Sequence, residues 1–128
     1  MKLLLDTHAL LWWLADDARL GVSARNLIAD PGNNVLVSIV SPWEVIVKMR
    51  VGKLKADIGT TLALIERNRF TLLPISPAHL LALAVLPFHH RDPFDHLLIA
   101  QAVAEGAAFL SEDRRASQYP LQVIACST

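Results

Sequence analysis

The hydrophobic positions of the chain fall into short apolar runs separated by longer amphipathic stretches. The runs have the length of buried strands, and the stretches repeat with the spacing of a helix. The predicted strands are residues 2–5, 34–38, 70–75, 108–111 and 122–125. The predicted helices are residues 7–15, 23–31, 41–51, 60–68, 76–87 and 93–105. Because strands and helices alternate, the pattern indicates an α/β fold with a mainly parallel central sheet covered on both faces.

Polar residues and glycine mark several predicted helix ends. Ser23 fits an N-cap, and Ser41 with Glu44 three positions later fits a capping box. Asp92 fits an N-cap before a proline, and Gly106 fits a helix stop. These signals place the starts of the third and sixth helices.

The composition is apolar and electrically neutral. Hydrophobic residues make up 53% of the chain and charged residues 19%, with twelve Lys plus Arg against twelve Asp plus Glu. The missing basic excess argues against a broad, non-specific grip on nucleic acid. The apolar excess indicates a surface covered by a partner or by a second copy of the chain. No repeat or linker interrupts the pattern, so residues 1–128 are predicted to form a single domain.

The sequence contains few features of an exported or membrane protein. No apolar stretch reaches the roughly 18 residues that cross a bilayer, and the start of the chain does not read as a signal peptide. Cys126 is the one cysteine, so no internal disulfide and no cysteine cluster for zinc can form. We therefore expect a cytoplasmic protein with no membrane partner.

Four acids stand out by their position in the predicted fold. Asp6 ends the first strand, and Asp113 follows the strand 108–111. Glu44 and Asp95 each lie in the first turn of a helix. The carboxyl ends of parallel strands and the starts of the following helices share one edge of a sheet, where ligands bind. We therefore predict that these four carboxylates converge.

Each acid also has a purely structural explanation. Asp6 and Asp92 could cap the helices that follow them, Glu44 could belong to a capping box, Asp95 would favour the helix dipole, and Asp113 could open a turn. Together, however, the acids would repel, since two charges about 4 Å apart oppose each other by roughly 4 kcal/mol at an effective dielectric near 20. A cation would relieve that cost. Mg²⁺ or Mn²⁺ suits a shell made of carboxylates.

Four segments of the chain resemble PIN-domain ribonucleases of the VapC toxin type. They occur in the family's order and are LDTHALLWW (5–13), SIVSPWEVIVK (38–48), RDPFDHLLIAQA (91–102) and LSED (110–113). The resemblance implies a PIN-like three-layer α/β/α fold. The sequence departs from the family's pattern at His96, where arginine is most expected, and at Ser111, where threonine is frequent.

The resemblance also implies an activity and a site. The expected activity is Mg²⁺-dependent endoribonuclease, with Mn²⁺ as a possible substitute, in the toxin of a VapBC-type toxin–antitoxin pair. The family's metal-site acids correspond to Asp6, Glu44, Asp95 and Asp113, and an additional acid found in many members corresponds to Asp92. We expect Asp6, Asp95 and Asp113 to be direct or water-mediated ligands, and Glu44 to complete the shell or orient the attacking water. Asp92 is a further member of the expected metal site.

The implied chemistry is phosphodiester hydrolysis. Mg²⁺ would orient and deprotonate a water and stabilise charge on the scissile phosphate, with a 5′-phosphate and a 3′-hydroxyl as products. The hydroxyls of Thr7 and Ser111 could hydrogen-bond the carboxylates or a metal-bound water, or simply belong to a helix start and a strand end. One or two metal ions are compatible with the sequence.

Partners follow from the resemblance as well. Several cations are candidates for guiding the RNA substrate, although a solvated surface explains them equally: Lys48, Arg50, Lys53, Lys55, Arg114 and Arg115. Relatives are held inactive by a small antitoxin protein whose tail covers the acidic pocket, often with an Arg or Lys pointing in. A homodimer is also expected.

Other functions fit the sequence less well. His89, His90 and His96 could support metal-independent RNA cleavage by general acid–base catalysis with the ribose 2′-hydroxyl as nucleophile, but this leaves the acids unexplained. A catalytically inactive PIN-like module that only binds RNA or protein would not need all four acids. A phospho-aspartyl enzyme built on Asp6 would need a second Asp where His8 stands.

Overall fold

A five-stranded parallel sheet forms the centre of the molecule. The structure is a computed structural model and describes residues 1–88 and 92–128. The strands are β1 Lys2–Leu5, β2 Asn34–Ser38, β3 Thr71–Leu73, β4 Ala108–Leu110 and β5 Val123–Ile124. Their order is β3-β2-β1-β4-β5, and every neighbouring pair is parallel. The predicted strands are all present, the last three shorter than expected.

Six α-helices connect and cover the strands. They are α1 Thr7–Leu14, α2 Val22–Ala29, α3 Val40–Arg50, α4 Ile58–Arg67, α5 Pro77–Ala84 and α6 Pro93–Glu105. A 3₁₀ helix, Arg114–Gln118, which the sequence pattern did not predict, follows β4. Among the helices of the described ranges, none has both the length and the apolar character to cross a membrane.

The side chains of β1 divide the core into two layers. Leu3 and Leu5 point to one side, where they pack with residues of α1, α2 and α4. Leu4 points to the other side and packs with Phe109 and with residues of α6, with α5 outside them. This alternation follows from the two-residue period of a strand. The three-layer α/β/α architecture is therefore confirmed.

The start of α3 differs from the prediction. The capping box of Ser41 and Glu44 is wrong, because the helix begins at Val40 and both residues lie inside it. The early start has a local cause, since the Ser38 hydroxyl accepts a hydrogen bond from the Val40 N–H at 3.0 Å. The Ile39 N–H donates to the Leu73 carbonyl at 2.9 Å, which fixes the turn against β3. Glu44 is thereby released from capping.

The start of α2 also corrects the prediction. Ser23 lies within the helix, and the N-cap is Gly21, which offers no side chain. Residues 126–128 satisfy the free N–H groups instead, since the Gly21 N–H donates to the Cys126 carbonyl at 2.8 Å and the Ser23 N–H to the Thr128 carbonyl at 2.9 Å. A Cβ at Gly21 would lie 2.6 Å from the Ser127 carbonyl oxygen. Glycine is therefore required here for space.

Candidate active site

Three strands end at the same level and bring their following residues to one edge. Leu5 of β1 is in register with Val37 of β2 and with Leu110 of β4. The next residue of the first strand, Asp6, donates its N–H to the Leu110 carbonyl at 3.0 Å. The carboxyl edge of the sheet therefore carries Asp6 beside Ser111, as the parallel topology requires.

Asp6 is the most deeply enclosed aspartate of this edge. It is the N-cap of α1, and its Oδ1 accepts from the Ala9 N–H at 2.7 Å. The Ser111 hydroxyl also hydrogen-bonds the carboxylate. Burial raises the pKa of Asp6, and the nearby charge of Glu44 adds to that rise, while the two hydrogen bonds and His8 oppose it. The predicted cap is confirmed, and it leaves a carboxylate in an environment that disfavours its charge.

Glu44 is held by a chain of hydroxyl groups. Its side chain is 4% exposed, and its Oε1 accepts from the Thr7 hydroxyl at 2.7 Å. Because the Thr7 proton is used in this bond, the 3.0 Å contact between the Thr7 and Ser41 hydroxyls has Ser41 as donor. Lys48 Nζ lies 2.8 Å from the Glu44 Oε2, one turn along α3. The hydrogen bond to Glu44 is the main reason why the pKa of Lys48 is raised.

Asp92 and Asp95 lie together at the start of α6. Asp92 caps the helix, with its Oδ1 accepting from the Phe94 N–H at 2.9 Å and from the Asp95 N–H at 3.2 Å. The pKa of Asp95 is raised to about 7, first by burial and then by negative charges nearby. These charges belong to Asp92, Glu44, Asp6 and Asp113. The sequence-predicted acids therefore share one electrostatic environment, although more than a hundred residues separate the first from the last.

Asp113 lies at the outer end of the group. Its Oδ1 accepts from the Arg115 N–H at 2.9 Å and so caps the 3₁₀ helix. The Arg115 side chain is 3.7 Å from the same oxygen. The Ser111 hydroxyl accepts from the Asp113 N–H at 3.0 Å. Ser111 therefore connects Asp113 to Asp6. This agrees with the expectation that its hydroxyl hydrogen-bonds the carboxylates.

The chemistry of these side chains fits a hard divalent cation. The donor set consists of five carboxylates with the hydroxyls of Thr7, Ser41 and Ser111, and contains no thiol or thioether. In the part of the chain that the structure describes, no three Asp, Glu, His or Cys side chains are close enough to enclose one ion as they stand. The oxygens of Asp6, Glu44, Asp92 and Asp113 accept hydrogen bonds from helix N–H groups or a hydroxyl, and Lys48 and Arg115 lie against two of these carboxylates. The five carboxylates therefore share one electrostatic environment, but their oxygens do not surround a common point.

The predicted RNA-binding cations occupy different surroundings. Lys48 and Arg115 face the acids through the contacts already described. Lys53 lines a cavity between α1 and α3, and Arg114 lines a separate cavity beside Ser111 and Asp113. Arg50 and Lys55 are exposed. The structure therefore places two of these cations in contact with the acids. The other four lie on the surrounding surface or line neighbouring cavities.

Of the three histidines in the rival mechanism, the structure describes only His96. His96 is buried, and its Nε2 is 2.9 Å from the Tyr119 hydroxyl, with the Phe88 ring 4.9 Å from its own. At this position, where the family pattern favours arginine, the protein has a packed and hydrogen-bonded imidazole. His89 and His90, which the rival mechanism also requires, lie outside the described residues.

Ser41 is a site residue that sequence reasoning assigned to another role. Its three-residue spacing from Glu44 was interpreted as a helix cap, whereas the same spacing inside a helix puts both side chains on one face. That face is directed at Thr7. Assigning the helix start to Ser38, three residues before Ser41, would have placed both side chains inside the helix.

Comparison with known proteins agrees with the geometry. The family model described as PIN domain matches residues 3–121. No curated protein sequence matches the chain. Solved structures similar to it include VapBC2 from Rickettsia felis bound to a DNA fragment from its promoter, with 16% identity, 98% of each chain covered and a TM-score of 0.75. VapBC-1 from nontypeable Haemophilus influenzae has 15% identity, 100% of each chain covered and a TM-score of 0.70.

A third similar structure is DNA-bound VapBC from Salmonella typhimurium, with 14% identity, 98% of each chain covered and a TM-score of 0.69. Identities this low show a shared fold. The family model, in contrast, spans nearly the whole chain, from the second residue of β1 to the residues before β5. The sheet order, the carboxylates at its edge and this match lead to one conclusion: the chain belongs to the PIN domain family.

Proposed function

We propose that this protein is a Mg²⁺-dependent endoribonuclease, with Mn²⁺ as a possible substitute, and that it is the toxin of a VapBC-type toxin–antitoxin pair. PIN domains are generally nucleases and typically use divalent metal ions. The observation that carries the proposal for this chain is the convergence of five carboxylates at the carboxyl edge of the parallel sheet, which also raises the pKa of Asp95. Perturbed carboxylates gathered at a sheet edge are typical of a functional site.

In this proposal Asp6, Asp95 and Asp113 hold the cation, and Glu44 and Asp92 complete its surroundings. When bound, a divalent cation supplies the positive charge that hydrolysis needs at the scissile phosphate. Ser111 restrains Asp6 by a hydrogen bond, and the Ser41 and Thr7 hydroxyls restrain Glu44. The α6 cap restrains Asp92. These hydrogen bonds limit the conformations open to each side chain before RNA binds.

Basic side chains would guide the RNA toward the acids. Lys48 and Arg115 already offset part of the negative charge of Glu44 and Asp113. Arg50, Lys53 and Arg114 would contact phosphates further along the strand. Zero net charge of the whole chain means that this attraction is local.

Two protein partners belong to the proposal. The similar VapBC structures support a small antitoxin protein as partner of this chain. We expect a cationic side chain of that antitoxin to enter the acidic site. A homodimer is supported by the exposed side chains of Leu80 and Leu81 in α5 and of Val85 and Phe88 after it. Residues 70–88 contain no Asp, Glu, Lys or Arg, so this surface can face its own copy without charge repulsion.

The rival mechanism through histidines gains no support. A general acid or base must reach the ribose hydroxyl or the leaving oxygen. His96 is 8% exposed and engaged with Tyr119 inside the core. The rival also leaves the acids at the sheet edge without a role.

The proposal is tested by cleavage of single-stranded RNA by the purified protein in Mg²⁺. Asp6→Asn and Asp95→Asn should each lower the rate by at least about 100-fold, as expected when a group that stabilises transition-state charge is removed. Glu66→Gln, which changes an exposed acid of α4, is the matched control and should retain the wild-type rate. Unchanged cleavage by Asp95→Asn would remove this residue from the site.

A further inference from the structure

A cavity of about 280 Å³ lies between α1 and the end of α3, directly beside the acidic site. We call it the α1–α3 cavity. Its floor is apolar and consists of Leu11, Val45 and Leu54, and its rim carries His8, Lys48 and Lys53. Thr7 and Glu44 line it as well, and these two residues also belong to the acidic site. The cavity and the acids are therefore continuous.

An aromatic surface continues from the rim along α1. The rings of His8 and Trp12 stack with 5.8 Å between centroids and 29° between planes. The Arg19 guanidinium lies 5.1 Å from the centre of the Trp12 ring. Exposed aromatic rings and arginine planes are the groups on which unpaired bases stack. His8 is the exposed end of this surface and the part that borders the cavity.

The charges on the rim favour an anion over a cation. Lys53 is exposed, and within residues 1–88 and 92–128 no carboxylate lies within ion-pairing distance of it. Lys48 spans the boundary between the cavity and the acids through its contact with Glu44. A peptide carrying a cationic side chain would be matched by the acids and opposed by these lysines. A phosphodiester strand would be matched by the lysines on one side and by a cation held among the acids on the other.

We infer that the α1–α3 cavity binds one nucleotide of single-stranded RNA adjacent to the scissile phosphate, with its base on the apolar floor against His8 and its phosphate at Lys53. This inference rests on the proposed function and gives it a substrate subsite. The side chains of the floor carry no hydrogen-bonding groups. Recognition is therefore by stacking and shape, which tolerates different bases at this position. His8 and Lys53 are binding residues and leave the cleavage step itself to the acids.

The test compares cleavage kinetics of a fluorescent single-stranded RNA in Mg²⁺ for wild type and variants. His8→Ala should raise KM about fivefold or more, because base stacking on one ring is lost. His8→Phe keeps a stacking ring and should restore KM, which a role in proton transfer would not allow. Lys53→Ala should lower the slope of log KM against log salt by about 1, because one phosphate contact is lost. Arg67→Ala, an exposed cation at the end of α4, is the control and should match wild type.

A second measurement separates failure of this inference from failure of the proposed function. RNA containing 4-thiouridine is irradiated with the protein, and the crosslinked peptides are identified by mass spectrometry. Crosslinks at residues 8–12 or 53–54 support the subsite even if no cleavage is detected. Normal KM in the His8→Ala and Lys53→Ala variants of a cleaving enzyme, or crosslinks confined to other surfaces, would overturn the inference and leave the cavity to a protein partner.

Discussion

Burial, together with the negative charge of four other carboxylates, determines what Asp95 contributes to stability. Its pKa is raised to about 7, so at pH 8 it is ionised and repelled by its neighbours. Removing the charge should therefore stabilise the protein when no divalent cation is available. Asp95→Asn in EDTA at pH 8 should increase the free energy of unfolding by about 1–2 kcal/mol.

Urea denaturation with Glu66→Gln as a matched control checks this effect. Glu66 is exposed on α4, and neutralising it should change the stability by less than about 0.5 kcal/mol. Addition of Mn²⁺ should make the wild type more stable than Asp95→Asn, because a cation that binds only the folded wild type adds to its free energy of unfolding. A destabilised Asp95→Asn in EDTA would mean that the carboxylates do not repel one another.

Cys126 offers a test of core burial through the chemistry of its thiol. Burial raises the pKa of its thiol to about 12 from an ordinary value of 9.0, and the negative charges of Asp6 and Glu112 add to the rise. The reactive thiolate is therefore nearly absent in the folded protein at pH 8.5, but well populated in the unfolded chain. We predict negligible reaction of the native protein with DTNB and rapid reaction in urea. Rapid labelling of the native protein would contradict the packing of residues 126–128 against α2.

Residue positions could be predicted from the sequence where topology alone fixes them. Asp6 and Asp113 follow strands, and parallel strands end at one edge, so their convergence required no side-chain detail. The hydroxyl chain from Ser41 through Thr7 to Glu44 could not be predicted, because it depends on the orientation of α3 against α1. Sequence spacing defines faces within one helix and gives no information on which other element they meet.

At the scale of elements, the clearest predictions came from residues with restricted conformations. Gly106 ends α6 with φ +63°, a left-handed conformation that glycine adopts without strain, and α6 has the predicted bounds. The predicted start of α3 is wrong because it rests on Ser41 as the N-cap. The helix begins earlier, where the Ser38 hydroxyl accepts from the Val40 N–H and the Ile39 N–H donates to the Leu73 carbonyl. The 3₁₀ helix escaped notice because five residues are too few to show a period.

Gly21 allows a matched test of how residues 126–128 close on α2. An alanine Cβ there would lie 2.6 Å from the Ser127 carbonyl oxygen, and displacing that segment removes the acceptors of the Gly21 and Ser23 N–H groups. Gly21→Ala should destabilise the protein by about 1–3 kcal/mol in urea denaturation.

The control is Gly59→Ala in the first turn of α4. Its Cβ would meet only the Asp57 side chain, at 3.3 Å, and alanine has the better helix propensity. Stability should remain within about 1 kcal/mol of wild type or increase. Equal stability of Gly21→Ala and wild type would show that the contact of residues 126–128 with α2 contributes little.

At the scale of the whole molecule, part of the apolar excess of the sequence is found on one exposed surface. The uncharged residues 70–88 include the exposed face of α5, where Leu81 is 71% exposed. If this face meets a second copy, Leu81→Glu should convert a dimer to a monomer in light scattering coupled to gel filtration. Leu62→Glu, on the exposed side of α4, should leave the dimer intact. A monomeric wild type at micromolar concentration would exclude the homodimer.

The whole account depends on five carboxylates acting together on RNA, and analysis of cleaved ends tests this most directly. Total RNA is incubated with the wild-type protein in Mg²⁺ or in EDTA, and the new termini are mapped and chemically identified. The account predicts cleavage only with the divalent cation, leaving 5′-phosphate and 3′-hydroxyl ends, because hydrolysis at the acidic site uses water as nucleophile. Cleavage that persists in EDTA and leaves a 2′,3′-cyclic phosphate would contradict it.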